Sequence, residues 1–190
     1  MKKIIVFVSM IILTSAAGYS QVFDKTSQAI NIDLGFGHVD YPGAYYSGGF
    51  PSITASYEHG VAEFNMGAEL TGVLSVGGFV GSSMRYYNAY GSYGDDDWRE
   101  AHFYIAARGN YHFIFHDKFD PYAGLMIGAR IPTLTWLGDG DEPEEVDAKD
   151  PSPYAGIFIG GRWFFTDNIA VNAELGYLVS IFNVGVTFKF

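Results

Sequence analysis

The chain contains no cysteine. That absence excludes a disulfide, a thiol nucleophile, a cysteine-bound metal and a lipid carried on an N-terminal cysteine. Basic residues are scarce: 11 Lys and Arg stand against 21 Asp and Glu. A chain this acidic lacks the clustered cations needed to bind nucleic acid through its phosphates. Long apolar runs are missing too. The run from Ile4 to Leu13 spans about 10 residues, half of what a transmembrane helix needs. Beyond residue 20 every apolar stretch is soon broken by a glycine or a charge.

What is present begins with export. Met1-Lys2-Lys3, the apolar run, and the small residues Ser15-Ala16-Ala17-Gly18-Tyr19-Ser20 have the order of a secretory signal peptide. Cleavage is expected before Gln21, with cleavage after Ala17 as the alternative. Residues 1–20 are then the signal peptide and 21–190 the mature domain. Removing Lys2 and Lys3 leaves 9 basic residues against 21 acidic, a charge near −12. The composition is 48% hydrophobic and 17% aromatic, with 24 Gly. Without apolar helices, such a composition points to β structure.

Read in steps of two, the mature chain resolves into eight alternating segments. They are Ile30–Val39, Phe50–Glu58, Ala62–Val76, Ala101–Phe115, Tyr122–Ile131, Tyr154–Phe165, Ile169–Leu178 and Ile181–Phe190. One parity of each is apolar and the other polar or small. In the last, Phe182, Val184, Val186, Phe188 and Phe190 oppose Asn183, Gly185, Thr187 and Lys189. The connections alternate in length. Asp40–Gly49, Gly77–Glu100 and Pro132–Pro153 are long; His59–Val61, His116–Asp120 and Thr166–Asn168 are short. The last connection, around Val179-Ser180, breaks the alternation by being very short.

Alternation alone does not decide which face meets water, and a soluble lipocalin-like barrel would bury its apolar face. Three features favour the reverse. The polar parity holds many glycines, which suit the crowded interior of an eight-strand barrel. It also holds both charge signs: Asp33, Glu58, Glu63, Glu69 and Glu174 with Arg108, Arg130, Arg162 and Lys189. Matching of this kind is what a buried lumen requires, since an unpaired buried charge is strongly unfavourable. Finally, aromatics collect near segment ends, as in interfacial girdles. The expectation is an all-β, eight-stranded, antiparallel up-and-down transmembrane barrel, with those nine charged residues forming a lumen network. Closure follows from the need to pair every backbone N–H and C=O within a bilayer.

The terminal strand Phe182-Asn183-Val184-Gly185-Val186-Thr187-Phe188-Lys189-Phe190 ends in Phe with apolar residues at alternate positions. Together with the signal peptide and the eight segments, it resembles the small bacterial outer-membrane barrels of the OmpX and OmpA-transmembrane-domain type. The resemblance covers most of the mature chain. It implies residence in the outer membrane and recognition of Phe182, Val184, Val186, Phe188 and Phe190 by the outer-membrane assembly machinery.

Candidate chemistry is sparse. The acidic run Gly138–Asp147 has oxygen ligands for a hard cation but not the spacing of an EF-hand loop, and it reads as a solvated loop tip. Tyr86–Trp98, rich in Tyr, Gly and Ser, could contact an extracellular protein or glycan. His102 and His112 share the polar parity of the fourth segment and are expected to bond carboxylates. No Ser, His and acid lie close enough in sequence to mark a nucleophile with its base. No cofactor or metal is expected, and an open pore is disfavoured because side chains fill a barrel of this size. The function expected is a non-enzymatic structural or surface-interaction role. The rivals are a lipid-modifying outer-membrane enzyme and a soluble periplasmic ligand-binding barrel.

Overall fold

The computed structural model describes residues 22–38, 46–65, 71–87, 98–137 and 150–190. These form eight strands: β1 (Gln28–His38), β2 (Tyr46–Asn65), β3 (Thr71–Tyr87), β4 (Trp98–Ile114), β5 (Phe119–Trp136), β6 (Ser152–Phe164), β7 (Ile169–Tyr177) and β8 (Ser180–Lys189). Each pairs antiparallel with its sequence neighbours, and β1 pairs with β8 from Ala29↔Lys189 to His38↔Ser180, closing the barrel. No helix occurs among the described residues. Closure leaves no free edge around the ring, so a bilayer meets no unpaired backbone there.

Strands take up residues expected in connections at 46–49 (β2), at 119–120 and 132–136 (β5) and at 152–153 (β6), and two further boundaries are corrected more deeply. The turn expected at His59–Val61 is continuous strand: β2 runs on to Asn65 with a register irregularity between Gly60 and Ala62, and β3 starts only at Thr71. A glycine inside an alternating run can mark a bulge as well as a turn. Here Gly60 lies under the backbone of residue 24: a β-carbon on it would sit 2.2 Å from the Asp24 carbonyl oxygen. The second correction concerns Gly77–Glu100, expected as a long connection. Residues 77–87 complete β3 and Trp98 already belongs to β4. Gly77 looks like a strand terminator, yet it sits mid-ladder opposite Glu58, where a β-carbon would collide with the Tyr57 carbonyl.

Strand lengths divide the ring. β7 and β8 have 9 and 10 residues, matching the 9–11 that cross a bilayer when tilted. β2 to β5 have 17 to 20. β5 pairs with β6 only as far as Arg130↔Ser152, while β3, β4 and β5 stay paired out to Tyr87↔Trp98↔Trp136. A four-stranded wall therefore rises above the rest of the barrel, at the end opposite the β1 start and β8 terminus.

Candidate functional site

Side chains alternate across the wall, and the two faces differ completely. Outward stand Ile30, Ile32, Leu34, Ile53, Val76, Val80, Phe103, Ile105, Leu125, Ile127, Ile157, Ile159, Val171 and Leu175, all exposed. Phe182, Val184, Val186, Phe188 and Phe190 point outward with them. A depression of 710 Å³ between Leu74, Tyr111, Leu125, Ile157 and Tyr177 opens on this apolar wall and not into the lumen. Phe64, Phe113, Phe115, Trp163, Phe165 and Phe188 ring the end that carries the termini.

Inside, two ionic clusters meet. In the first, Glu58 on β2 pairs with Arg162 on β6, whose Nη1 also donates to Asp120 Oδ2 at 3.2 Å. His112 on β4 lies between the two carboxylates: Nδ1 is 2.8 Å from Asp120 Oδ1 and Nε2 3.2 Å from Glu58 Oε2. Ser75 Oγ donates to Glu58 Oε2 at 2.8 Å. In the second cluster, Arg108 on β4 grips Glu174 on β7 through both terminal nitrogens, and Tyr122 donates to Glu174 Oε1 at 2.7 Å. Asn110 joins the clusters. Its Oδ1 accepts from Arg108 Nε at 3.2 Å, and its Nδ2 donates to Glu58. The guanidinium carbons of Arg108 and Arg162 lie 4.1 Å from the Phe158 ring centre and 4.7 Å from that of Tyr122. Planar guanidinium suits such combined pairing and stacking.

Of the nine charged residues expected in the lumen, Glu58, Arg108, Arg162 and Glu174 are drawn together as the ionic core. Asp33 is buried beside it and accepts from Asn172 and Thr54. Lys189 sits at the terminal end, its Nζ donating to the Val22 carbonyl at 3.0 Å. Arg130 is half-buried at the opposite end, opposite Tyr104 and Ser152. Glu63 is exposed near the end of β2, beyond the register irregularity and past His59, the last β2 residue that pairs with β1. Glu69 lies outside the described residues.

Sequence reasoning missed Asp120, placed in a turn because it follows His116-Asp117, and of the buried aromatics Phe79, Tyr104, Tyr122, Tyr154 and Phe158 it placed only Tyr104 on the inward parity. The aromatics matter. With Ala106, Met126, Leu178 and Val179 they form an apolar plate above the charges. Leu178 and Val179 come from the very short β7–β8 connection, which folds inward. Below the charges a second plate is formed by Val22, Phe23, Ala29, Val73, Ile114, Phe164 and Ala170. The charges are thus enclosed between two apolar layers.

Ser75, His112 and Asp120 have the contacts of a nucleophile, base and orienting acid, with Ser75 Oγ 3.0 Å from His112 Nε2. The chemistry does not follow. All three residues are fully buried, and Glu58 occupies the space beside Ser75 Oγ where an acyl group would have to sit. The His112 ring has a carboxylate at each nitrogen, and Glu58 competes with Ser75 for Nε2.

An antiparallel eight-strand ring that is apolar outside and ionic inside is the inverse of a soluble barrel. The fold is that of a small outer-membrane barrel. The chain matches no protein-family model and no curated protein. Among solved structures, the barrel is similar to Ail, the attachment invasion locus protein of Yersinia pestis, at 13% identity over 88% of this chain and 100% of that one, with a TM-score of 0.49. It is similar to the same protein in complex with the heparin analogue sucrose octasulfate, at 14% identity over 86% and 97%, TM-score 0.48. A third likeness is to Ail in a phospholipid bilayer nanodisc, at 12% identity over 87% and 99%, TM-score 0.43.

Proposed function

We propose that this chain is an integral outer-membrane protein, exported by a cleaved signal peptide, whose role is structural or surface-interacting and not enzymatic. The inverted polarity carries the reading. An exposed belt of Ile, Leu, Val and Phe around a closed ring is costly in water and favourable in lipid, while the paired charges inside avoid both solvents. Phe182, Val184, Val186, Phe188 and Phe190 supply the outward face of the terminal strand and are assigned as the signal read by the assembly machinery. The surface offered to an extracellular protein or glycan is the wall of β2 to β5 together with the stretches Tyr86–Trp98 and Gly138–Asp147, which fall largely outside the described residues and are acidic in sequence. Their negative charge favours a basic or neutral partner and would repel a polysulfate of the kind bound to Ail.

The test is fractionation followed by gel mobility with and without heating. A closed membrane barrel is expected in the outer-membrane fraction, extracted only by detergent, with a heat-dependent shift in mobility. Release with the periplasmic contents would instead support the soluble barrel. The second reading, a lipid-modifying enzyme, is favoured by the Ser75–His112–Asp120 contacts alone. It predicts altered lipid in cells carrying the protein relative to cells lacking it, and unaltered lipid in a Ser75→Ala strain.

A further inference from the structure

Val22–Ser27 belongs to no strand, yet Val22 and Phe23 are buried. This segment passes under the barrel at the end of the termini. The Phe23 ring stacks on His112, centroids 4.2 Å apart and planes 13° from parallel. The Val22 carbonyl accepts from Lys189, and the Ser27 carbonyl from the Gly60 amide at 2.9 Å. Asp24 stiffens the segment from within, its Oδ1 accepting from the Thr26 and Ser27 amides at 2.7 and 2.8 Å. Gly60 leaves room for the Asp24 backbone. Phe23 is therefore the floor of the lumen, directly beneath the imidazole that touches Ser75, Glu58 and Asp120.

We propose that Val22–Ser27 is a stopper: a removable floor that closes the lumen from the periplasmic side and keeps water and small solutes from the ionic core. The barrel wall is held by complete strand ladders, whereas the segment has no ladder and is held by the Val22 and Phe23 side chains in the lower plate, the Arg162 guanidinium carbon 5.7 Å from the Phe23 ring centre, the Lys189 contact and the Ser27–Gly60 bond. Segments with so few contacts open at a small fraction of the global unfolding free energy. The stopper can thus leave while the ring stays closed, and the plate of Phe79, Tyr104, Met126, Leu178 and Val179 continues to seal the other end.

The cysteine-free chain makes a direct test available. Ser75→Cys places a single thiol behind His112, and the rate of its modification by methyl methanethiosulfonate reports access to the lumen. Two further changes, made separately, unseat the stopper by different routes. Phe23→Ala removes the ring. Gly60→Ala inserts a β-carbon 2.2 Å from the Asp24 carbonyl and 2.9 Å from Lys25 Cα, both backbone atoms of the segment itself. Each protein is refolded in detergent and checked for the heat-dependent gel shift, so that only closed barrels are compared. Modification is expected to be slow in Ser75→Cys alone and faster in both double variants by about tenfold or more, the rate change that corresponds to roughly 1.4 kcal/mol of lost closure. Equal, slow rates in closed barrels of all three proteins would overturn the proposal, since the wall alone would then seal the core. A fast rate in Ser75→Cys alone would overturn it as well. Should Phe23→Ala fail to close, Gly60→Ala, which leaves every lumen side chain in place, decides the matter.

Discussion

At the scale of single residues, the lumen holds its charges only in company. Arg162 is fully buried between Glu58 and Asp120. Replacing it with Met leaves two carboxylates with only the His112 imidazole between them. Removing one partner of a buried pair costs about 3–5 kcal/mol, so Arg162→Met is expected to lower the urea midpoint of the refolded protein sharply. Lys118→Met, on an exposed turn residue, should leave the midpoint within about 0.5 kcal/mol of the parent. Arg130→Met should fall between the two, because Arg130 is only half-buried. Asp24 gives a pH signature at the floor. Burial raises its carboxyl, but hydrogen bonds from the backbone and side chains of Thr26 and Ser27 outweigh that and hold the pKa below the ordinary 3.8. A depressed carboxylate contributes stability that is present above the ordinary value and is lost as the pH falls through the folded one. Acid below the usual aspartate range should therefore loosen the Val22–Ser27 segment. Asp24→Asn should remove that acid dependence, read as the rate at which a protease clips the N-terminal segment of the folded barrel.

At the scale of the element, β8 shows how far a sequence can be read. Its alternation was legible because nothing interrupts it. Phe182 to Phe190 face outward and Asn183, Thr187 and Lys189 inward, as the pattern alone indicates. The same alternation misled in β2 and β3. The alternating run Ala62–Val76 spans the end of β2 and the start of β3, while Gly60 and Gly77, which look like stops, are close approaches of neighbouring backbone within continuous ladder. Parity also found the four charges of the ionic core, since charge on one face of a strand is a local property. It placed Tyr104 inward, but could not find Asp120, whose role depends on β6 supplying Arg162, nor the buried rings of Phe79, Tyr122, Tyr154 and Phe158, whose inward position depends on the apolar plates needing large rings. What lies across the lumen is not written along the strand. A test of β8 follows from its outward face. Phe188→Asp puts a carboxylate into the apolar belt near the rim, where the cost is below the roughly 2–4 kcal/mol of an Arg or Lys at mid-bilayer. It should reduce the outer-membrane yield, and loss of Phe190 should reduce it further, measured by quantitative blotting of membrane fractions. Normal yield after deletion of Phe190 would remove the terminal strand from its assigned role as assembly signal.

At the scale of the whole molecule, the β1 start, the β8 end and the short connections after β4 and β6 share one end, and the wall of β2 to β5 rises at the other, where the very short β7–β8 connection also lies. Under the proposed outer-membrane function, an even strand number puts both termini on the periplasmic side and turns the wall outward. An epitope inserted between residues 138 and 149 should then be detected by antibody on intact cells, while one appended after Phe190 should be seen only once the outer membrane is opened. The reverse pattern would invert the orientation.

The ionic core has a further consequence for how such a ring can enter a bilayer at all. Glu58 and Arg162 are 104 residues apart in the chain, and Arg108 and Glu174 are 66 apart. Each pair joins strands that face one another across the lumen and meet only when the sheet has curled. A half-curled sheet pushed into lipid would carry these charges bare, at several kcal/mol for each ion. The same chain with its ring shut carries none. The pairs act as a certificate of completion: partitioning becomes favourable only after distant parts of the chain have found each other, and an unfinished barrel is held in water by the very charges that later stabilise it.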